Sequence, residues 1–149
     1  MREAIDLAVE NVRRGGGPFA ALVVRAGEVV ARGTNCVTPH NDPTAHAEIV
    51  AIRRACKALG RFHLDGHTLY TTCEPCPMCL GAVYWAHLDR VVYAGTRDDA
   101  AAAGFDDAHI YREVGRAPEE RRLVMEQLLR DEAQRAFEAW AQYGERVEY

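Results

Sequence analysis

The chain has 149 residues, 48% hydrophobic and 27% charged, proportions that suit one globular domain and leave too little chain for two. Its bulkiest apolar run, Phe19 to Val24, falls far short of the ~20 residues a membrane helix needs, and the opening Met1-Arg-Glu-Ala-Ile is unlike an export signal, so a cytoplasmic protein is expected. The net charge is −4, with thirteen carboxylates against seven arginines beyond residue 97, and no basic stripe of the kind that holds a phosphate backbone, so neither nucleic acid nor membrane is expected as a partner.

Ile5, Ala8, Val9 and Val12 recur at helical spacing, so residues 2–14 form an amphipathic helix that stops at Gly15-Gly16-Gly17-Pro18. Phe19–Val24 and Glu28–Gly33, β-branched and apolar runs about Ala26-Gly27, make a hairpin. Asn35–Asn41 reads as loop. Asp42-Pro43 offers an N-cap and an N1 proline to the next helix, whose apolar stripe is Ile49, Ile52, Cys56 and Leu59 and whose stop is Gly60. Thr68–Thr72 is a strand, Pro75 opens a helix through about Trp85, and Val91–Ala94 is a further strand. Strands alternating with helices call for crossover connections, hence an α/β sandwich with a sheet that is at least partly parallel. Beyond Gly95 the pattern is irregular: a short helix falls near Asp107–Glu113, and Leu123–Leu129 fits strand or helix, with strand preferred. Ala133, Ala136, Phe137, Trp140 and Ala141 share one face of a closing helix.

Five cysteines in such a chain read as metal ligands or buried thiols rather than disulfides, and three of them stand in Cys73-Glu-Pro-Cys76-Pro-Met-Cys79. Upstream, Thr44-Ala-His46-Ala-Glu48 adds an imidazole and a carboxylate, a mixed nitrogen and sulfur set that suits Zn2+. Cys76 and Cys79, at i and i+3, share one face of a helix start whose dipole favours thiolates. Cys73 lies ahead of Pro75 and must turn back to join them. Two cysteines and one histidine leave a fourth position for water, the catalytic arrangement; all three cysteines with His46 would close a structural site instead. Glu48 converges with His46 only where the two straddle a helix start, and there it stands ready to move a proton beside the metal. Its plainer use is to favour the first turn of its helix electrostatically.

His46-Ala47-Glu48 followed by Pro75-Cys76-Pro-Met-Cys79 is the signature of the zinc nucleoside and nucleobase deaminases. Gly17-Pro-Phe19, the stretch from Asn41 to Glu48, Cys73 through Gly81, Tyr84-Trp-Ala86, Gly104-Phe-Asp-Asp107 and the aromatic C-terminus together resemble the bacterial guanine deaminase family nearly end to end. The resemblance implies one domain over residues 1–149, an α/β/α sandwich about a mixed five-stranded sheet, with residues 130–149 a C-terminal helix and tail that swaps between the subunits of a homodimer. It implies Zn2+ on His46, Cys76 and Cys79, with Glu48 as the catalytic proton shuttle. The reaction implied is hydrolysis of guanine to xanthine and ammonia, by zinc-activated water at C2, a step of purine breakdown.

For the base, the resemblance implies contacts from Asn35, Ala47 and Asp107, the last accepting the N1–H and 2-amino donors that guanine presents side by side. Phe19 and Trp85 would sandwich the ring, and Tyr149 of a neighbouring subunit would close the pocket. Plainer uses exist for each: Asp106 or Asp107 as a helix cap, Asn35 as a turn former, Phe19 and Trp85 as core. Other deaminases share the metal motif, acting on guanosine, cytosine, a triazine or tRNA adenosine, and a structural zinc module is the non-enzyme alternative. The remaining histidines, His40, His63, His67, His87 and His109, are expected in loops or at the surface, and Cys36 and Cys56 as small buried hydrophobes.

Overall fold

A computed structural model describes all 149 residues. The chain parts into two compact units, Met1–Tyr111 and Arg112–Tyr149, a division that falls ahead of the tail start placed at residue 130 from sequence.

Unit 1 is built on a four-stranded mixed sheet in the order β2-β1-β3-β4, with β1 at Ala20–Arg25, β2 at Glu28–Thr34, β3 at Thr68–Cys73 and β4 at Arg90–Gly95. The β1–β2 hairpin turns at Ala26-Gly27, both in the left-handed region, where Gly27 at φ +85 suffers no Cβ clash. β1 pairs antiparallel with β3, and β3 pairs parallel with β4, so the two crossovers demanded by the alternation are present. They are made by α3 at Ala47–Leu59 and α4 at Pro77–Trp85, which pack on each other.

Side chains of β1 are buried on both sides of the sheet. Ala21 and Val23 join the core beneath α3 and α4, with Leu69 of β3, Ile52, Leu64 and Val83. Ala20 and Leu22 point the other way and are also buried, on the side covered by α1 at Arg2–Arg13, which touches β1, β2 and β3. The result is the expected three layers.

Several expectations are corrected. The helix assigned to Asp42-Pro43 begins at Ala47, with His46 as its N-cap, because Asp42 is engaged in an Asx turn to Thr44 and holds that loop instead. The buried face of α3 is Ala47, Ala51 and Ala55 with Ile49 and Ile52, whereas Leu59 is exposed. Small residues are required there because β2 comes close: a Cβ on Gly33 would collide with the main chain of Ala47 and Ala51. The loop after β2 contains one helical turn, α2 at Val37–His40, and the alanine run lies in α5 at Arg97–Ala102, opened by a capping box between Thr96 and Asp99. His67 is fully buried rather than in a surface loop, its Nδ1 bonded to the carbonyls of Leu64 and Asp65 at 3.0 Å each.

The sheet has four strands rather than five. α6 runs Ala108–Val114, and unit 2 continues with a 3-10 turn at Pro118–Glu120 and α7 at Arg130–Gln142; Leu123–Leu129 forms neither strand nor helix. No residue of unit 2 is buried. No helix of the chain is long and apolar enough to cross a membrane.

Candidate functional site

Two helix starts carry the metal motif. His46 is the N-cap of α3 and Cys76 the N-cap of α4, both in extended backbone, with Pro77 at the first helical position and Cys79 in the first turn. Neither cap uses its side chain on its own helix, so the imidazole and thiol turn towards each other. His46 Nδ1 lies 3.6 Å from Cys76 Sγ and 3.5 Å from Cys79 Sγ. A tetrahedral zinc with bonds of about 2.0–2.1 Å to nitrogen and 2.3 Å to sulfur has nitrogen–sulfur edges of roughly 3.6 Å. The three ligand atoms fit that ion, and three protein ligands leave its fourth position open.

Cys73 stands outside the cluster. Its thiol donates to Thr96 O at 3.4 Å, and burial pushes its pKa up to about 11, so the closed four-ligand site is not formed. Within the cluster the Cys79 thiol bonds to Cys76, which with His46 beside it holds Cys76 down at about 4, while the same bond and burial drive Cys79 upwards. The bond to Cys76 also raises His46. Two helix N-termini converging on these sulfurs add their positive ends to the thiolate charge.

Glu48 follows His46 in the first turn of α3 and is almost completely buried at 6% exposure. Its Oε2 lies 3.5 Å from Cys79 Sγ, so the straddled helix start brings carboxylate and ligand cluster together. Burial raises its pKa.

Both groups open on a cavity of about 560 Å3, within the usual range of roughly 300–1,000 Å3 for small-molecule sites. Asn35 lines it and is buried. Asn11 of α1 fastens this residue in place, its amide donating to Asn35 O at 2.9 Å and to Gly17 O at 2.8 Å. Gly17 is required beside it, since a Cβ there would stand 2.9 Å from the Asn35 amide. Asp107 lines the cavity half-buried, and its pKa is raised by desolvation and then by the Cys76 charge. Capping at the start of α6 is done by its neighbour, since Ala108 N donates to Asp106 Oδ1 at 2.9 Å. Tyr111 ties this segment to the metal loop by donating to Pro75 O at 2.9 Å, with the Arg97 guanidinium 5.0 Å above its ring.

Phe19 is on the cavity wall, but Trp85 is not: it lies 65% exposed on a separate groove between α3 and α4, with Phe62 and Met78. The aromatic partner of Phe19 is Phe105, 4.9 Å away and edge to face. Ala47 is fully buried at the first position of α3. Tyr149 belongs to unit 2 and is 73% exposed. The sequence reading missed Phe105, Asn11 and Tyr111, none of which has a spacing that marks it; Phe105 was in view only as part of Gly104-Phe-Asp-Asp107.

Residues 1–95 match the family model described as the cytidine and deoxycytidylate deaminase zinc-binding region. A guanine deaminase of Bacillus subtilis is 51% identical over 150 residues, covering all of this chain and 96% of its own, and its X-ray structure superposes with a TM-score of 0.96 over 99% of this chain and 95% of that one. A tRNA-specific adenosine deaminase of the same organism is 41% identical over 104 residues, 70% of this chain and 65% of its own. A solved structure in complex with 8-azaguanine is 38% identical with a TM-score of 0.69, covering 79% of this chain and 65% of that one. The chain belongs to the zinc-binding cytidine and deoxycytidylate deaminase family, and its full-length kinship is with a guanine deaminase.

Proposed function

We propose that the protein hydrolyses guanine to xanthine and ammonia. The observation that carries this reading is one cavity bounded by a zinc-shaped His46–Cys76–Cys79 triad and Glu48 and, elsewhere on its wall, by the half-buried Asp107, which forms no salt bridge. Zinc held there would acidify a water for attack on C2 of the base. Asp107 would accept N1–H and the 2-amino group, a pair that adenine lacks at that edge, and Asn35 supplies both donor and acceptor to the rest of the ring. Phe19 and Phe105 supply apolar walls that help exclude bulk water, whereas Ala47, fully buried, does not line the cavity. Glu48 would take one proton from the attacking water and deliver it to N3, then take the remaining proton of the added hydroxyl and deliver it to the leaving amine. The full-length likeness to a guanine deaminase supports this substrate over the tRNA adenosine named for a relative that matches only 70% of this chain.

The active form would be a homodimer. Unit 2 has no buried residue, yet it carries Leu123, Val124, Leu128, Phe137 and Val147 largely in the open and Trp140 partly so, an apolar load that a second copy would cover. In that dimer the tail ending at Tyr149 would close the partner's cavity. A cytoplasmic setting belongs to the same reading, because five free cysteines, two of them ligands, need a reducing compartment.

The test is ammonia release by the zinc-loaded protein from guanine, guanosine, adenine, adenosine, cytosine, cytidine and a tRNA anticodon stem-loop. Guanine alone should react, with xanthine as product. Release from another member instead would overturn the substrate, and release from none would overturn the enzyme.

A further inference from the structure

β3 alternates between two environments, with Leu69, Thr71 and Cys73 buried and Thr68, Tyr70 and Thr72 less so. The buried set faces α3, and the core position at its centre is occupied by a threonine where packing alone would take valine or leucine. Thr71 is 0% exposed, and its hydroxyl donates to Glu48 Oε1 at 2.9 Å. No other side chain bonds to that hydroxyl. Its main chain is clamped on both sides, paired with Ala21 of β1 and Tyr93 of β4. A β-branched side chain in a strand held from two sides has little rotamer freedom, so the hydroxyl is a stationary donor.

The geometry points to Thr71 as the positioning residue for Glu48: by occupying Oε1 it fixes the carboxylate rotamer and leaves Oε2, the oxygen beside Cys79, as the one that carries the proton. The inference rests on the deaminase reading. Glu48 has three side-chain torsions to settle, two staggered and one soft, and the alternative orientations would carry its second oxygen away from the ligand cluster. Hydrogen bonds to a buried carboxylate are charge-assisted and directional, which makes one well-placed donor enough to select an orientation. Thr71 does not line the cavity and hydrogen-bonds none of the three ligands, so its effect on the reaction passes through Glu48.

The test compares Thr71→Val, Thr71→Ser and Thr71→Ala in zinc-loaded protein. Removal of the hydroxyl in Thr71→Val should lower kcat about tenfold or more while KM for guanine stays within about twofold and zinc remains bound. Thr71→Ser should recover most of the native kcat. Thr71→Ala and Thr71→Ser differ by a single oxygen, so their ratio reports the hydroxyl even where valine disturbs folding. In a Glu48→Gln background the Thr71→Val change should have no further effect on the residual rate, as expected for a residue that works through Glu48. A native-like kcat in Thr71→Val, a serine variant as slow as the alanine variant, or an undiminished effect in the Glu48→Gln background would each overturn the positioning role. Failure of the native protein to turn over guanine would instead fall on the function itself, and with it on this role.

Discussion

Glu48 and the three ligands illustrate how one residue's duty is separated from its neighbour's. Glu48→Gln keeps the shape and removes the proton carrier, so we expect zinc content and melting temperature near native and turnover lower by roughly 100- to 10,000-fold, the usual worth of a general acid–base group. Metal analysis beside xanthine formation checks it, and retained activity would remove Glu48 from the mechanism. The cysteines divide similarly: Cys79→Ala should lose zinc, whereas Cys73→Ala should keep it, since Cys73 is bonded to Thr96 O instead of facing the ion. Zinc binding must displace the protons that raised pKa values hold on Cys79 and His46, so the affinity should rise with pH and weaken on acidification, readable by competition with a chelator at several pH values. For Asp107 the sign is set by its raised pKa: protonation removes the acceptor for the two guanine donors, so KM should climb as pH falls, starting at a higher pH than an ordinary carboxylate would dictate.

At the scale of elements, the site depends on where two helices begin. The i, i+3 spacing of Cys76 and Cys79 at a proline-marked helix start was legible, but the helix opens two residues later than the Pro75 read from sequence, because Cys76 takes the N-cap and Pro77 the first helical position. The start of α3 was misplaced because Asp42-Pro43 is an equally good local cap, and the choice between it and His46 is made by the fit of α3 on β2. Gly33 is the contact that permits this fit. Gly33→Ala should therefore destabilise unit 1 by about 1–3 kcal/mol through overpacking and also slow turnover, because the displaced helix carries His46 and Glu48. Thermal unfolding and activity measured on one preparation would show both, and a fully stable, fully active variant would contradict the close approach.

The whole molecule raises the question of what unit 2 packs against. A 149-residue chain whose last 38 residues bury nothing leaves Phe137, Trp140 and their neighbours to a second copy in our reading. Sedimentation should report a dimer at micromolar concentration. Truncation before Tyr149 should leave that dimer intact while reducing kcat, if the tail shields the reaction from water; unchanged kinetics would end its role as a lid.

Composition, periodicity and motif spacing sufficed for the α/β class, the crossover helices and the candidate metal ligands, whereas the choice of His46, Cys76 and Cys79 over a closed four-ligand site, with Glu48 beside them, drew on the family resemblance. The former rest on local regularities: the period of 3.6 or 2, proline and glycine punctuation, and ligand spacing across a single helix start. Strand count, the partner of Phe19, the burial of His67 and the hold of Thr71 on Glu48 were decided by tertiary structure. Leu123–Leu129 has the residues of a strand but no edge within its own unit to pair with, and apolar character cannot say which edge is free. Trp85 and Phe105 are equally aromatic in sequence, yet one lies on the α3–α4 groove and the other on the cavity, because contacts between residues distant in sequence are set by packing and not by spacing.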